Sequence, residues 1–344
     1  MTSTLADVAK AAGVHPGTAS KALNPETRHR VADDTVKRVL SIAKKLNYQP
    51  NNIARSLRTR KTGTIGLLVP DLTNALFPPI VRGIERVLSE HGLHALVVNT
   101  DNSPEKANQL FTALRLRQCD GFILATAFRN DPIVEELAER NIPSVLVNRL
   151  TDKKLLPSVS GDEWSAMHVA VDHLISLGHT HIAHIAGPRS ISNGSIRRAA
   201  FLDAVEEEKL KKDHCPVIVA SEYSEDAGEA ALLKLFASTK VKPTAIIAGN
   251  DQIAIGAIDG LRQLKLSCPE DVSVIGFNDS PLVDRLQPSL TTLHLPKHQL
   301  GEDAAVILLE IMSGKRTQKA EAHLLPCDLI VRNSTARVSS KANR

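Results

Sequence analysis

The 344-residue chain contains no run of about 18 apolar residues, the length a helix needs to cross a bilayer, and its first residues include no apolar export segment. A cytoplasmic location without membrane attachment is therefore expected. Cysteine is scarce. Cys119, Cys215, Cys268 and Cys327 lie far apart and form no C-x-x-C pair, which favours reduced thiols, although spacing alone leaves a bridge in space open. No G-x-G-x-x-G follows an apolar strand, and neither a G-x-x-x-x-G-K-[ST] phosphate loop nor a G-x-S-x-G elbow is present. The commonest signatures of nucleotide-dependent and hydrolytic enzymes are thus missing, and no catalytic residue, cofactor or metal is expected. The one cluster of metal-like composition is His179-Thr-His181-Ile-Ala-His184. In an extended strand its first two imidazoles share a face and the third points away, with no carboxylate or thiol between them, so these histidines read as structural.

Charge is present but unevenly placed. Twelve lysines and arginines fall within residues 1–62 against four acidic residues, a net of +8, whereas the whole chain carries only +4. The remaining residues are thus mildly acidic. A clustered cationic segment on an acidic body is the electrostatic footprint of a nucleic-acid reader, because release of counterions from phosphates needs grouped cations.

Within that segment the spacing predicts a helix over residues 5–12. Thr4 is its N-cap, Asp7 sits at the positive end of its dipole, and Leu5, Val8, Ala9 and Ala12 form its apolar face. Gly13 supplies a turn. Pro16, with a fixed φ and no N–H, suits the first position of a second helix that ends near Leu23 and Asn24. Ala19, Ala22 and Leu23 would pack inward, leaving Pro16, Gly17, Thr18, Ser20 and Lys21 outward. A face with few large side chains can lie in a major groove, its hydroxyls and ammonium within reach of phosphates or base edges. A plain helical hairpin would share this spacing, and it is the charge that favours DNA. A third helix over about residues 33–46, with Val36, Val39, Leu40, Ala43 and Leu46 as its stripe, completes a small helical head.

Residues 53–58 make a helix of barely two turns, too short to be stable without a partner. Leu57 lies between Arg55 and Arg58, the composition of a minor-groove wedge held by cations, although packing of Leu57 on the body would also suit it.

From residue 62 the pattern changes to alternating strands and helices. Strands are expected at 64–70, 95–99, 121–125 and 144–148, a break follows at 151–157, and the rhythm then restarts with strands at 181–186, 216–220, 244–248 and 273–277. The intervening helices include 79–91, 104–117, 132–141, 164–177, 196–207, 227–236 and 252–264. Two such series imply two parallel-sheet lobes, whose ligands bind beyond the carboxyl ends of the strands. Polar and aromatic residues gather at those ends, although Asn and Asp also terminate strands simply because they favour turns.

Many ordered words resemble the lac repressor (LacI/GalR) family of bacterial transcription regulators. Among them are Asp7-Val-Ala-Lys-Ala-Ala-Gly-Val14, Thr18-Ala-Ser-Lys-Ala-Leu-Asn24, Ala54-Arg-Ser-Leu-Arg58, Val69-Pro-Asp-Leu-Thr-Asn74, Ile185-Ala-Gly-Pro188, Asn250-Asp251, Val274-Ile-Gly-Phe277 and Leu329-Ile-Val-Arg332. The resemblance spans about residues 4–335. It implies a small all-α helix-turn-helix head and an α/β body of two Rossmann-like parallel-sheet lobes of periplasmic-binding-protein type.

The implied domains are a DNA-binding head at 1–48, a hinge helix and linker at 49–62, an effector-binding and dimerisation domain at 63–338, and a tail at 339–344. The body would divide into an N-subdomain, about 63–160 and 293–328, and a C-subdomain, about 161–292. The implied function is that of a homodimeric regulator, more specifically a repressor, on a pseudo-palindromic operator in double-stranded DNA. Its DNA contacts would come from Thr4, Leu5, Pro16, Gly17, Thr18, Ser20, Lys21, Asn24, Arg28 and His29, with Ala54, Arg55, Leu57 and Arg58 of the hinge. A small-molecule effector, whether sugar, organic acid or other metabolite, would meet Phe77, Thr126, Asn148, Asn193, Arg197, Tyr223, Asn250 and Asn278. By the same likeness Tyr223 serves as an aromatic platform and Arg197 as a cationic clamp. Asn278-Asp279 departs from the frequent Asp-Asp pair, and Leu295 stands where relatives can place a polar side chain.

Overall fold

A computed structural model describes residues 3–24, 27–48 and 61–338, which form two compact units divided at Thr62 and Gly63. In the first unit, helices α1 (Leu5–Ala12), α2 (Pro16–Leu23) and α3 (Asp33–Lys45) pack around Val8, Ala9, Ala12, Ala19, Ala22, Val36, Val39 and Ala43. Local chemistry sets the helix ends. Thr4 Oγ1 accepts from the Asp7 amide at 3.3 Å while the Asp7 carboxylate accepts from the Thr4 amide at 2.9 Å, closing a capping box. Gly13 ends α1 at φ 62°, where a Cβ would be strained. His15 caps α2 through Nδ1, which accepts from the Gly17 amide at 3.1 Å, a role that spacing alone does not reveal. Arg38 Nε donates to the Ala12 carbonyl at 3.0 Å and fastens α3 to the end of α1.

The second unit holds two six-stranded sheets. The first contains β1 (Thr64–Val69), β2 (His94–Asn99), β3 (Gly121–Leu124), β4 (Ser144–Val147), β5 (Ser158–Gly161) and β11 (Ala322–Leu325), in the order β11-β5-β4-β3-β1-β2 and parallel throughout. The second contains β6 (Ile182–Ala186), β7 (Val217–Val219), β8 (Ala245–Ala248), β9 (Ser273–Asn278), β10 (Thr291–His294) and β12 (Asp328–Ile330), in the order β12-β10-β9-β8-β6-β7. Only the β10–β12 pair among these is antiparallel. The central strands β1, β3, β4, β6, β8 and β9 are buried nearly end to end, as expected of parallel strands covered on both faces.

The chain passes between the lobes three times, after β5, after β10 and before β12. The crossing into the first lobe follows His294 rather than Thr292, because β10 still pairs with β9 in the second sheet. The chain then forms the helix Lys297–Met312, which packs on the helix Phe77–Glu90 of the first lobe. That contact is close: a Cβ on Gly83 would lie 2.2 Å from the His298 carbonyl oxygen, and one on Gly301 would lie 2.1 Å from that of Ile80. Strands β5, β10 and β12 escape a pattern-based reading because, unlike the equally short β3, β4, β7 and β8, they carry Ser158, Ser160, Thr291, Thr292 and Asp328 where a continuous apolar run would mark a buried strand.

Candidate functional site

Between the two sheets lies a cavity of about 470 Å³. Its walls come from the carboxyl ends of strands and the first turns of the following helices. Seven of the eight expected effector residues line it: Phe77 and Asn148 from the first lobe, and Asn193, Arg197, Tyr223, Asn250 and Asn278 from the second. Thr126 does not. It is buried, and its carbonyl accepts from Arg149 Nη1 at 3.3 Å, so it supports the wall from behind.

The helix Ser192–Glu207 begins a turn earlier than its apolar spacing suggests. Ser-Asn-Gly is a poor helical start by propensity, yet tertiary packing overrides this, since a Cβ on Gly194 would lie 2.3 Å from the Pro188 carbonyl oxygen. The extra turn puts Asn193 and Arg197 four residues apart on one face, and both reach Glu163, the first residue of the helix Glu163–Ser176. Arg197 Nη2 donates to Glu163 Oε1 at 2.6 Å, and Asn193 Nδ2 donates to the same oxygen. Arg197 Nη1 donates to the Gly249 carbonyl at 2.5 Å, while its guanidinium carbon stands 3.5 Å from the centroid of Phe277. Arg197 is therefore not the free cationic clamp expected of it, because Glu163 already matches its charge. Glu163 carries no signal in its sequence neighbourhood; only the fold brings it beneath Arg197.

Of the two cations on the cavity wall, Arg149 is the one bonded to no carboxylate among the described residues. Its guanidinium donates to two neutral oxygens, the Thr126 carbonyl and Asn102 Oδ1, the latter at 2.9 Å. Burial holds its pKa down to about 10, against the supporting fields of Tyr223 and Asp131, so it remains charged at neutral pH. Burial likewise pushes the Tyr223 phenol up to about 12. A Cβ on Gly187 would sit 2.3 Å from the Tyr223 ring and hydroxyl, so glycine is what lets this ring lie over the end of β6. Of the eight side-chain polar atoms buried without a hydrogen-bond partner among the described residues, Tyr223 Oη, Asn278 Oδ1 and Arg197 Nε belong to residues on the cavity wall.

Direct bonds join the lobes around the cavity. Asn74 Nδ2 donates to Gln252 Oε1 at 2.9 Å, Asn193 Nδ2 to the Asn148 carbonyl at 3.0 Å, the Leu150 amide to Ser192 Oγ at 2.8 Å, and the Arg129 amide to the Ser190 carbonyl at 3.1 Å. Asn250 spends its side-chain oxygen on capping the helix Asp251–Gln263, accepting from Ile253 N at 2.9 Å. Asp279 is held by Arg332 Nη2 at 2.7 Å and His294 Nδ1 at 3.0 Å, outside the lining. Leu295 is fully buried.

The three clustered histidines separate. His179 bonds Thr244 Oγ1 at 2.9 Å and the Ala336 carbonyl at 3.0 Å, His181 stacks on His214 at 4.0 Å between centroids, and His184 Nδ1 donates to the Ile247 carbonyl at 2.8 Å. Burial pushes His184 down to about 4, from an ordinary 6.5. The folded chain thus keeps this imidazole neutral where the unfolded chain takes up a proton. Its contribution to stability is complete above about pH 6.5 and shrinks by about 1 kcal/mol per pH unit as pH falls toward 4. Urea midpoints at pH 7 and pH 5 should therefore differ more in the wild type than in His184→Gln, and equal differences would contradict this assignment.

In the helical unit, Pro16, Gly17 and Lys21 are exposed along α2, Thr18 and Ser20 are half-buried beside them, and Ala19 and Ala22 point into the core. Thr4 is exposed at the start of α1, Leu5 and Asn24 are half-buried, and Arg28 and His29 lie in a short 3₁₀ turn, Arg28–Arg30. Ala54, Arg55, Leu57 and Arg58 lie outside the described residues.

A three-helix head with a short second helix of small outward residues, joined in sequence to a two-lobed body with a polar interlobe cavity, defines a ligand-responsive DNA-binding regulator. The chain matches the bacterial regulatory proteins of the lacI family over residues 4–51 and the periplasmic binding protein-like domain over residues 171–335. It is 33% identical to the ribose operon repressor of Halalkalibacterium halodurans, over 96% of this chain and 97% of that protein. Among solved structures it resembles the lac repressor dimer bound to operator and an anti-inducer, with a TM-score of 0.86 and 26% identity over 98% of this chain and all of the other. A LacI family regulator from Enterococcus faecium with bound ribose matches at a TM-score of 0.70 and 29% identity, over 80% of this chain and all of that one. The chain belongs to the lacI family: it is a DNA-binding transcriptional repressor with a periplasmic-binding-protein-like effector domain, and not an enzyme.

Proposed function

We propose that the chain acts in the cytoplasm as a homodimer on a pseudo-palindromic operator, with α2 in the major groove and a hydroxyl-rich, sugar-like metabolite in the interlobe cavity. The observation that carries the effector reading is the composition of the cavity wall. The side chains of Asn74, Asn102, Asn148, Asn193 and Gln252 pair donors with acceptors, as hydroxyl groups require, while Phe77 and Tyr223 offer apolar faces to a sugar ring. Because Glu163 neutralises Arg197, Arg149 is the one cation left on the cavity wall, among the described residues, to face an electron-rich oxygen of the ligand, and an organic acid would depend on it. The mechanism is a population shift. Effector favours one arrangement of the lobes, which alters the spacing of the two hinge segments of the dimer and hence operator affinity.

Thermal-shift screening of pentoses, disaccharides and organic acids against the full chain, followed by operator titration with each hit, tests this reading. A sugar at a hundredfold excess over its Kd should stabilise the protein by about 2.7 kcal/mol. Arg149→Ala should abolish that shift while leaving the ligand-free protein folded. Stabilisation by organic acids alone would replace the sugar reading with an acid one.

A further inference from the structure

We propose that His168, Asp203 and Glu207 form a binding site for a divalent transition-metal cation, best matched by Zn²⁺, outside the effector cavity on the second lobe. His168 lies on the helix Glu163–Ser176, and both carboxylates lie on the helix Ser192–Glu207 that packs against it. The tautomer of the neutral imidazole follows from its backbone partner. Nδ1 is 2.9 Å from the Trp164 carbonyl oxygen, which can only accept, so Nδ1 carries the hydrogen. In the neutral ring the Nε2 lone pair then faces two carboxylate oxygens, Asp203 Oδ2 at 3.1 Å and Glu207 Oε2 at 3.4 Å. Three electron-rich atoms converging in this way can be matched by a metal cation or by a second ring proton, and their spacing favours the metal.

The spacing suits a metal. Ligand atoms about 2.0–2.1 Å from a tetrahedral Zn²⁺ lie about 3.3 Å apart, close to both observed separations, and water would complete the fourth corner. A second ring N–H given to a backbone carbonyl is also the usual support of a metal-bound histidine, since it fixes the tautomer and aims the lone pair. All three side chains are at least partly open to solvent, so an ion has a path in. The two helices such an ion would clip together also carry Glu163 and the Asn193–Arg197 pair, so an occupied site stiffens the same wall of the effector cavity.

The chain provides its own reporter, because its single tryptophan, Trp164, has its ring centroid 5.9 Å from that of His168. The full-length protein, stripped with EDTA at pH 7.5, would be titrated with Zn²⁺ by calorimetry and with Co²⁺ by tryptophan fluorescence. The expected result is saturable binding of one Zn²⁺ per chain, quenching of Trp164 by Co²⁺, and recovery of emission when Zn²⁺ displaces it. His168→Gln and, separately, Glu207→Gln should each weaken Zn²⁺ binding at least about tenfold with unchanged circular dichroism. Absence of saturable Zn²⁺ binding would overturn the proposal in favour of a protonated imidazolium–carboxylate bridge only. Equal binding by the wild type and both variants would overturn it in favour of a site elsewhere.

Discussion

Glu163→Ala is expected to cost the two-lobed unit about 3–5 kcal/mol, the usual penalty for leaving one member of a buried ion pair alone. The side chains of Arg197 and Glu163 are only 3% and 4% exposed, so water cannot replace the lost carboxylate. The remaining guanidinium would keep the Gly249 carbonyl and the face of Phe277 but no counter-charge, and Asn193 would retain only its bond to the Asn148 carbonyl. Since Asn193 links the lobes, the same substitution should also blunt the response of operator binding to effector. Urea unfolding of the wild type, Glu163→Ala, Arg197→Met and the double variant at pH 7 measures this. Each single change should be severe, and the double change milder than their sum, because it removes both charges together. Single variants within about 1 kcal/mol of wild type would place this pair among weak surface-like bridges and remove its role in the cavity wall.

Deleting residues 1–62 should abolish operator binding while leaving effector binding intact. The segment carries a net charge of +8, and what remains is mildly acidic, so the deletion removes the phosphate-neutralising charge together with α2. The cavity draws all its lining residues from residue 71 onward, within a unit that begins at Gly63 and has its own buried core. Electrophoretic mobility shift against operator and thermal shift with the effector would be read on the same preparation. Residual sequence-specific DNA binding by the truncated chain would contradict the assignment of the head. Loss of effector binding in a folded truncated chain would contradict the independence of the cavity.

Much of the molecule is legible in the order of its amino acids. The boundaries of α1 and α2 follow from Thr4, Gly13 and Pro16, because capping and φ preferences act between near neighbours. The rhythm of the body follows equally well, since buried parallel strands of Val, Ile, Leu and Ala stand out against amphipathic helices. Most of the cavity wall is also anticipated, because a ligand in a doubly wound lobe meets the ends of strands, and those ends can be located from the strands.

Tertiary structure alone decided which of those residues have their charge and hydrogen bonds already committed. Arg197 looks free in sequence and is paired, whereas Arg149, next to Asn148 at a strand end, is the cavity-lining cation with no carboxylate bonded to it among the described residues. Thr126 sits at a strand end yet supports the wall from behind, and Glu163, more than thirty positions from Arg197, is what neutralises it. His168 acquires its two carboxylates from another helix in the same way. Caps, turns and periods arise from contacts a few residues apart and are written along the chain. Ion pairing and burial arise between residues separated by dozens of positions, so they exist only once the chain has folded.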